Sequence, residues 1–189
     1  MPDTSDGVTA GDGSAEWLLL IYHVPSEPTR LRAAVWRRLK SLGAIYLQNS
    51  AATLPASQPN DRALRKLRRD IIEMSGTAVL LSCRSLAGET EILAAFQAAR
   101  NDEYEEIVDR CRDFLVQIDK EHAAEHFTFA ELEENEVDLA KLKGWFDKVA
   151  ARDNFGAPGG QLAEEALAAC EVSLEGYASQ VYAREAEAH

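Results

Sequence analysis

The stretch Trp17-Leu-Leu-Leu-Ile-Tyr-His-Val24 is apolar on both sides when extended: Trp17, Leu19 and Ile21 on one, Leu18, Leu20, Tyr22 and Val24 on the other. A strand with one face in water alternates polar and apolar residues, so this one is expected inside a sheet and covered on both faces. Helices packed on one side meet half of that demand. The helical remainder of the chain, or a second subunit, must meet the other half. Deleting everything after Leu86 is then expected to leave an insoluble fragment.

The residues that follow supply the helices. Ser26 caps and Pro28 opens a helix that runs to Leu42 and stops at Gly43, with Leu31, Val35, Leu39 and Leu42 as its core stripe. Ala44–Gln48 reads as a second strand, Asn49-Ser50 as a tight turn and Ala51–Leu54 as a third strand, weak because alanine is a poor strand former. After a Pro55–Pro59 loop, Asn60 caps a second helix that runs to Ser75, with Leu64, Leu67, Ile71 and Met74 inward. Thr77–Ser82 is a fourth strand. The order β-α-β-β-α-β is the ferredoxin-like pattern, in which both helices cover one face of an antiparallel sheet.

Beyond Leu86 only helical periodicity remains. A short helix is expected over Glu89–Ala99, and a second from Asn101 with Ile107, Cys111, Phe114 and Ile118 inward. A third opens at the capping box Thr128-Phe-Ala-Glu131, with Leu132, Leu139, Leu142, Phe146 and Val149 inward. After a Gly/Pro break at Asp153–Gln161 comes a last helix carrying Leu167, Cys170, Leu174, Tyr177 and Val181. The expected architecture is α+β. It consists of a disordered tail over 1–15, a ferredoxin-like domain over 16–86, and three to four helices over 87–185 packed on or beside it.

With 189 residues, 46% of them hydrophobic and 28% charged, the chain has the composition of a globular protein. No apolar run approaches the ~18 residues of a membrane span, and the first fifteen residues lack the basic and apolar regions of a secretory signal. Three widely spaced cysteines (Cys83, Cys111 and Cys170) without a C-x-x-C fit buried thiols in a reducing cytoplasm.

The net charge of −12 conceals a split: residues 17–86 carry eleven Lys/Arg against four Asp/Glu, and residues 87–189 carry nine against twenty-four. The cations of the first half concentrate on its helices. Arg62, Arg65, Lys66 and Arg69 share the face opposite the core stripe of the second helix, and Arg30, Arg37 and Lys40 do the same on the first. Ferredoxin-like topology turns both faces to one side, where seven cations suit a phosphate backbone. The competing reading is a solvated face partly neutralised by the acidic half of the chain. Phosphate contacts carry no sequence information. Arg38 falls near the apolar stripe and is expected to pair with a carboxylate or to extend its head to water.

Other chemistries fare worse. His122-Ala-Ala-Glu125-His126 matches an inverted zinc-peptidase pattern, two histidines one helical turn apart with a carboxylate beside them. It lies at a helix end, and no third ligand stands at a recognisable spacing. The glutamates at 131, 133, 134 and 136 suit the positive end of their helix dipole. Gly156-Ala-Pro-Gly-Gly160 lacks the lysine of a phosphate loop. Ala51, Ala52 and Thr53 cannot stack bases as an RNA-binding sheet requires. No cofactor and no metal is expected.

Several stretches carry a resemblance: Trp17–Tyr22, Pro25-Ser-Glu-Pro28, Val35-Trp-Arg-Arg-Leu39, Leu42–Gln48, Phe127–Glu136 and Arg152-Asp-Asn-Phe-Gly-Ala-Pro158. Together they resemble the N-terminal domain family of the chromate-resistance protein ChrB, over about Trp17 to Tyr182. The resemblance implies a bacterial chromate-responsive transcriptional regulator acting beside an efflux pump, with a further C-terminal domain in full-length relatives that lies beyond this chain. The core is more distantly similar to PaaX-type repressors and to small CRISPR-associated nucleases. The nuclease's metal-binding aspartate has no counterpart in Tyr22-His-Val-Pro25.

Three functions remain in play. One is a non-catalytic, dimeric, cytoplasmic regulator that binds DNA through Arg30, Arg37, Lys40, Arg62, Arg65, Lys66 and Arg69, with chromate as effector. Another is a partner-binding module without DNA contact, working with a separately encoded C-terminal domain. The last is an enzyme, either a hydrolase at His122, Glu125 and His126 or a cysteine-dependent reductase.

Overall fold

A computed structural model describes residues 15–27 and 29–187. The expected tail, Ala15 apart, and the expected helix-opening Pro28 lie outside the described residues. The chain divides into two compact units, Met1–Ile92 and Leu93–His189. The fold is α+β, with a four-stranded antiparallel sheet and five helices among the described residues.

In the first unit the order is β1 (Glu16–His23), α1 (Thr29–Leu42), β2 (Ile45–Gln48), β3 (Ala51–Pro55), α2 (Gln58–Glu73) and β4 (Thr77–Arg84). The sheet order is β2-β3-β1-β4. β1 pairs with β3 from Trp17↔Pro55 to Ile21↔Ala51, and with β4 from Glu16↔Arg84 to His23↔Thr77. An inner strand explains the unbroken apolar run. Leu18, Leu20 and Val24 are buried with Val35 and Leu39 of α1 and with Leu64, Leu67 and Ile71 of α2.

The other face of β1 departs from expectation. Trp17 is 2% exposed, but Ile21 is 45% exposed, and its register partner Val79 and the neighbouring Leu81 are exposed too. The second face is therefore apolar and closed only toward the Trp17 end. β3, the strand with the poorest propensity, sits between two neighbours, where ladder bonds and burial of Ala52, Thr53 and Leu54 outweigh what alanine lacks.

One junction corrects the sequence reading. Ser57, not Asn60, caps α2: its hydroxyl accepts the Asn60 N–H at 3.2 Å, and Pro59 falls in the first turn, where its missing donor costs nothing. The Asn60 side chain instead donates to the Pro55 carbonyl at 2.9 Å and ties the helix start to the end of β3. At the far end of α2, Gly76 is obligatory, because a Cβ there would lie 2.5 Å from the His23 carbonyl oxygen.

The remaining elements are α3 (Glu89–Ala123), α4 (Phe129–Ala150) and α5 (Gly159–Glu187). The break expected between Ala99 and Asn101 is absent, and α3 runs unbroken for 35 residues. Asn101 looks like a cap in isolation, yet its side chain accepts the Gly159 N–H at 2.8 Å. Thr128 does cap α4, accepting from the Glu131 N–H. The core of the second unit is formed by Ile107, Cys111, Phe114 and Ile118 of α3, Leu132, Leu139 and Val149 of α4, and Leu167, Cys170, Leu174, Tyr177 and Val181 of α5. Leu142 and Phe146 pack against it partly buried. No helix among the described residues is long and apolar enough to cross a membrane.

Candidate nucleic-acid interface

α1 contains no acidic residue, so nothing on its own surface neutralises its arginines. Its core stripe directs Val35 and Leu39 inward, which turns Arg30, Arg37 and Lys40 outward, and all three are exposed. On α2 the inward set Leu64, Leu67 and Ile71 leaves Arg62, Arg65, Lys66 and Arg69 outward, and these are exposed as well. The two helices pack side by side, so one layer of the first unit carries all seven cations. Of the seven, only Arg65 is ion-paired among the described residues, with Asp61 one turn earlier at 2.7 Å. Lys40 lies 5.4 Å above the ring of Trp36, which is itself half exposed. Surface guanidinium and ammonium groups of this kind attract polyanions by charge and counterion release.

Two neighbouring arginines do other work. Arg68 donates from Nε to the Ala78 carbonyl at 3.1 Å, fastening α2 to β4. Arg38, expected beside a carboxylate or with its head in water, takes the second course: it is exposed and has no carboxylate partner among the described residues.

The alternatives with catalytic chemistry lack geometry. α3 ends at Ala123, and Glu125 adopts a left-handed backbone at φ 54°, so His122, Glu125 and His126 do not share a helical face. His122 packs edge-on against Phe127 and Tyr177, His126 lies 3.6 Å from Glu121, and Glu125 pairs with Arg184. No group of three His, Cys, Asp or Glu among the described residues is arranged to hold a metal. The cysteines of the second unit are poor nucleophiles. Burial pushes Cys111 above its ordinary value, and burial together with Cys111 pushes Cys170 up to about 12.

A polar cluster in the second unit escaped the sequence reading. Arg100 is 4% exposed and pairs with Glu103 at 2.9 Å, and Glu103 also holds Arg152. Burial pulls Arg100 below the usual arginine value, with Glu103 pulling the other way. Asp153 accepts from the Ala157 N–H at 2.9 Å and from the Tyr104 hydroxyl at 3.3 Å. Burial, then Asp153, pushes Tyr104 up to about 12. Gln97 donates to the Phe155 carbonyl. The stretch Arg152–Pro158 is thus a loop clasped by α3. One signal was available: Arg100 continues the stripe of Tyr104, Ile107 and Cys111 at helical spacing.

The family model described as Protein ChrB, N-terminal, matches residues 32–188. Protein ChrB of Cupriavidus metallidurans is 33% identical over 91 residues, which make up 48% of this chain but only 28% of that relative. The match therefore spans less than a third of the relative's length. The family match takes in all of α1 but its first three residues, α2, the clasped loop and the three long helices, and on it the chain belongs to the ChrB N-terminal family.

Proposed function

We propose that this chain is a non-catalytic regulatory component of chromate resistance that binds DNA through the outer faces of α1 and α2. The observation that carries the reading is the layer of seven exposed cations, six of them without an ion partner among the described residues. Membership of the ChrB family supports the chromate link. We further read the first unit as ferredoxin-like. In its support, β1 lies between β3 and β4, and α2 packs on β1 and β4 with α1 beside it. Chromate is the proposed effector, the cytoplasm the proposed compartment and a homodimer the proposed state.

The test is binding of the purified chain to duplex DNA from upstream of its own gene, at two salt concentrations, with and without chromate. The expected result is binding that weakens steeply with salt and is relieved by chromate. Arg65→Ala with Arg69→Ala should lower the salt slope by about 1 on every sequence alike, because Asp61 already pairs with Arg65. An unchanged slope in that double variant removes the assignment. A second reading, a partner-binding module without DNA contact, is favoured by the open apolar sheet face around Ile21, Val79 and Leu81. Absence of DNA binding at either salt concentration would select it.

A further inference from the structure

The two edges of the sheet are not alike. β2, at one edge, is four residues long and carries a register irregularity between Tyr46 and Gln48. Short length and a bulge are standard protection against strand addition. β4, at the other edge, has eight residues, no proline, no lysine and an unbroken register with β1. Among the described residues no strand lies against its outer side.

The outward backbone groups can be identified. The Ala78 carbonyl meets Arg68 of α2, so residue 78 turns its polar groups away from β1. By strand alternation Leu80 and Ser82 do the same. A groove of about 470 Å³ follows this edge between β4 and α2, lined by Arg65, Arg68, Arg69, Ala78, Leu80 and Ser82, with Asp61 beside Arg65. Asp61 neutralises Arg65. Arg68 and Arg69 remain, one of them already leaning on the edge itself.

This charge selects the occupant. A second copy pairing β4 to β4 about a two-fold axis would set the same guanidinium groups against each other. Like charges disfavour that arrangement. A segment with carboxylates on the side facing α2 would gain backbone ladder bonds and ion pairs together.

We propose that the outer edge of β4, with Arg68 and Arg69 beside it, is a docking site where an extended acidic peptide segment adds as a fifth strand. The site goes beyond the nucleic-acid reading and does not depend on it, because its defining element is a backbone edge that a phosphate chain does not need.

The test uses the full chain and a fluorescent peptide of about ten alternating Glu and Val residues, with an alternating Lys and Val peptide as control. Anisotropy should report binding of the acidic peptide, at least about tenfold tighter than the basic one. Ser82→Pro removes one outward N–H and leaves the backbone ladder to β1, and should weaken the peptide at least about tenfold; Ser82→Ala, which loses only the hydroxyl bond to Glu16, should bind normally. The same variant should leave binding to duplex DNA unchanged. Arg68→Glu with Arg69→Glu should abolish peptide binding while a thermal melt verifies that the chain still folds. Equal affinity for the two peptides, or a folded Ser82→Pro variant that binds the acidic peptide normally, overturns the proposal. So does a dimer that forms without peptide and dissociates on Ser82→Pro, since the edge would then belong to a second copy. Peptide binding without DNA binding supports the docking site and defeats the nucleic-acid reading. DNA binding without peptide binding does the reverse.

Discussion

The two units treat their cations differently. In the second unit, seven of nine Lys/Arg are ion-paired among the described residues, most within one helical turn, as in Arg112 with Asp109 and Lys141 with Asp138. In the first, Arg65 alone of eleven is. Exposed pairs contribute little stability, about 0–1 kcal/mol each, so outside the buried Arg100, Glu103 and Arg152 cluster this is not a difference in how firmly the units hold together. It is a difference in what is left over. The second unit neutralises its positive charge internally, and the first presents it to whatever anion arrives.

Arg100 and Arg62 put that contrast to its hardest test. Arg100 is buried in an ion pair, and Arg100→Ala leaves a cavity and weakens the clasp on Arg152–Pro158. It should cost about 3 kcal/mol in urea unfolding. Arg100→Met, which keeps the volume and removes the charge, should recover most of that loss. Arg62 is exposed and unpaired, and Arg62→Ala should stay within about 0.5 kcal/mol of the parent. Equal costs for the two alanine variants would erase the distinction between structural and available cations.

Binding sharpens the comparison from the other side. Replacing Arg37, Arg62 and Lys66 together by alanine should reduce the salt slope for duplex DNA by about 3 and leave the melting temperature within a few degrees. Removing Arg112 and Lys141, which are paired in place, should leave DNA affinity unchanged. If the second pair matters as much as the first triple, ion pairing does not decide which cations are available.

Capping offers a smaller, local test. Ser57 and Thr128 start one helix in each unit through a side-chain oxygen. Ser57→Ala and Thr128→Ala should each cost about 1 kcal/mol. Asn60→Ala tests the corrected assignment. It loses a bond to the Pro55 carbonyl rather than a cap, so the start of α2 should stay intact by helical circular dichroism.

What the sequence disclosed depended on the range of the interaction. Stripes such as Leu64-Leu67-Ile71 and Leu167-Cys170-Leu174-Tyr177-Val181 are set by local periodicity, and they are buried as their spacing requires. The seven outward cations follow from the same stripes. Where a local signal competed with a distant partner, the distant partner won. Asn101 resembles a helix cap but is taken up by Gly159, 58 residues away, and Asn60 by the end of β3. Arg38, near an apolar stripe, extends its head to water, one of the two outcomes its position allows. The carboxylate pairing falls instead to Arg100, whose partner Glu103 also holds Arg152 beside a loop no local pattern connects. The edge of β4 was equally hidden, because strand order is a property of the whole sheet.

The last contrast concerns protons and has no effect at neutral pH. Cys170 and Tyr104 of the second unit both titrate near 12 when folded, above their ordinary values of 9.0 and 10.0. At neutral pH both groups are protonated in the folded and unfolded chains alike, and neither changes stability with pH. Between those ordinary values and about 12 the unfolded chain releases protons that the folded chain retains, so stability must fall as pH rises through that window. Thiol labelling reads the same burial at pH 8. Cys83, half-buried on β4, should react first, while Cys111 and Cys170 react only as fast as the second unit opens. Three thiols reacting together in the native chain would mean that the core around Cys111 and Cys170 is no tighter than the sheet surface.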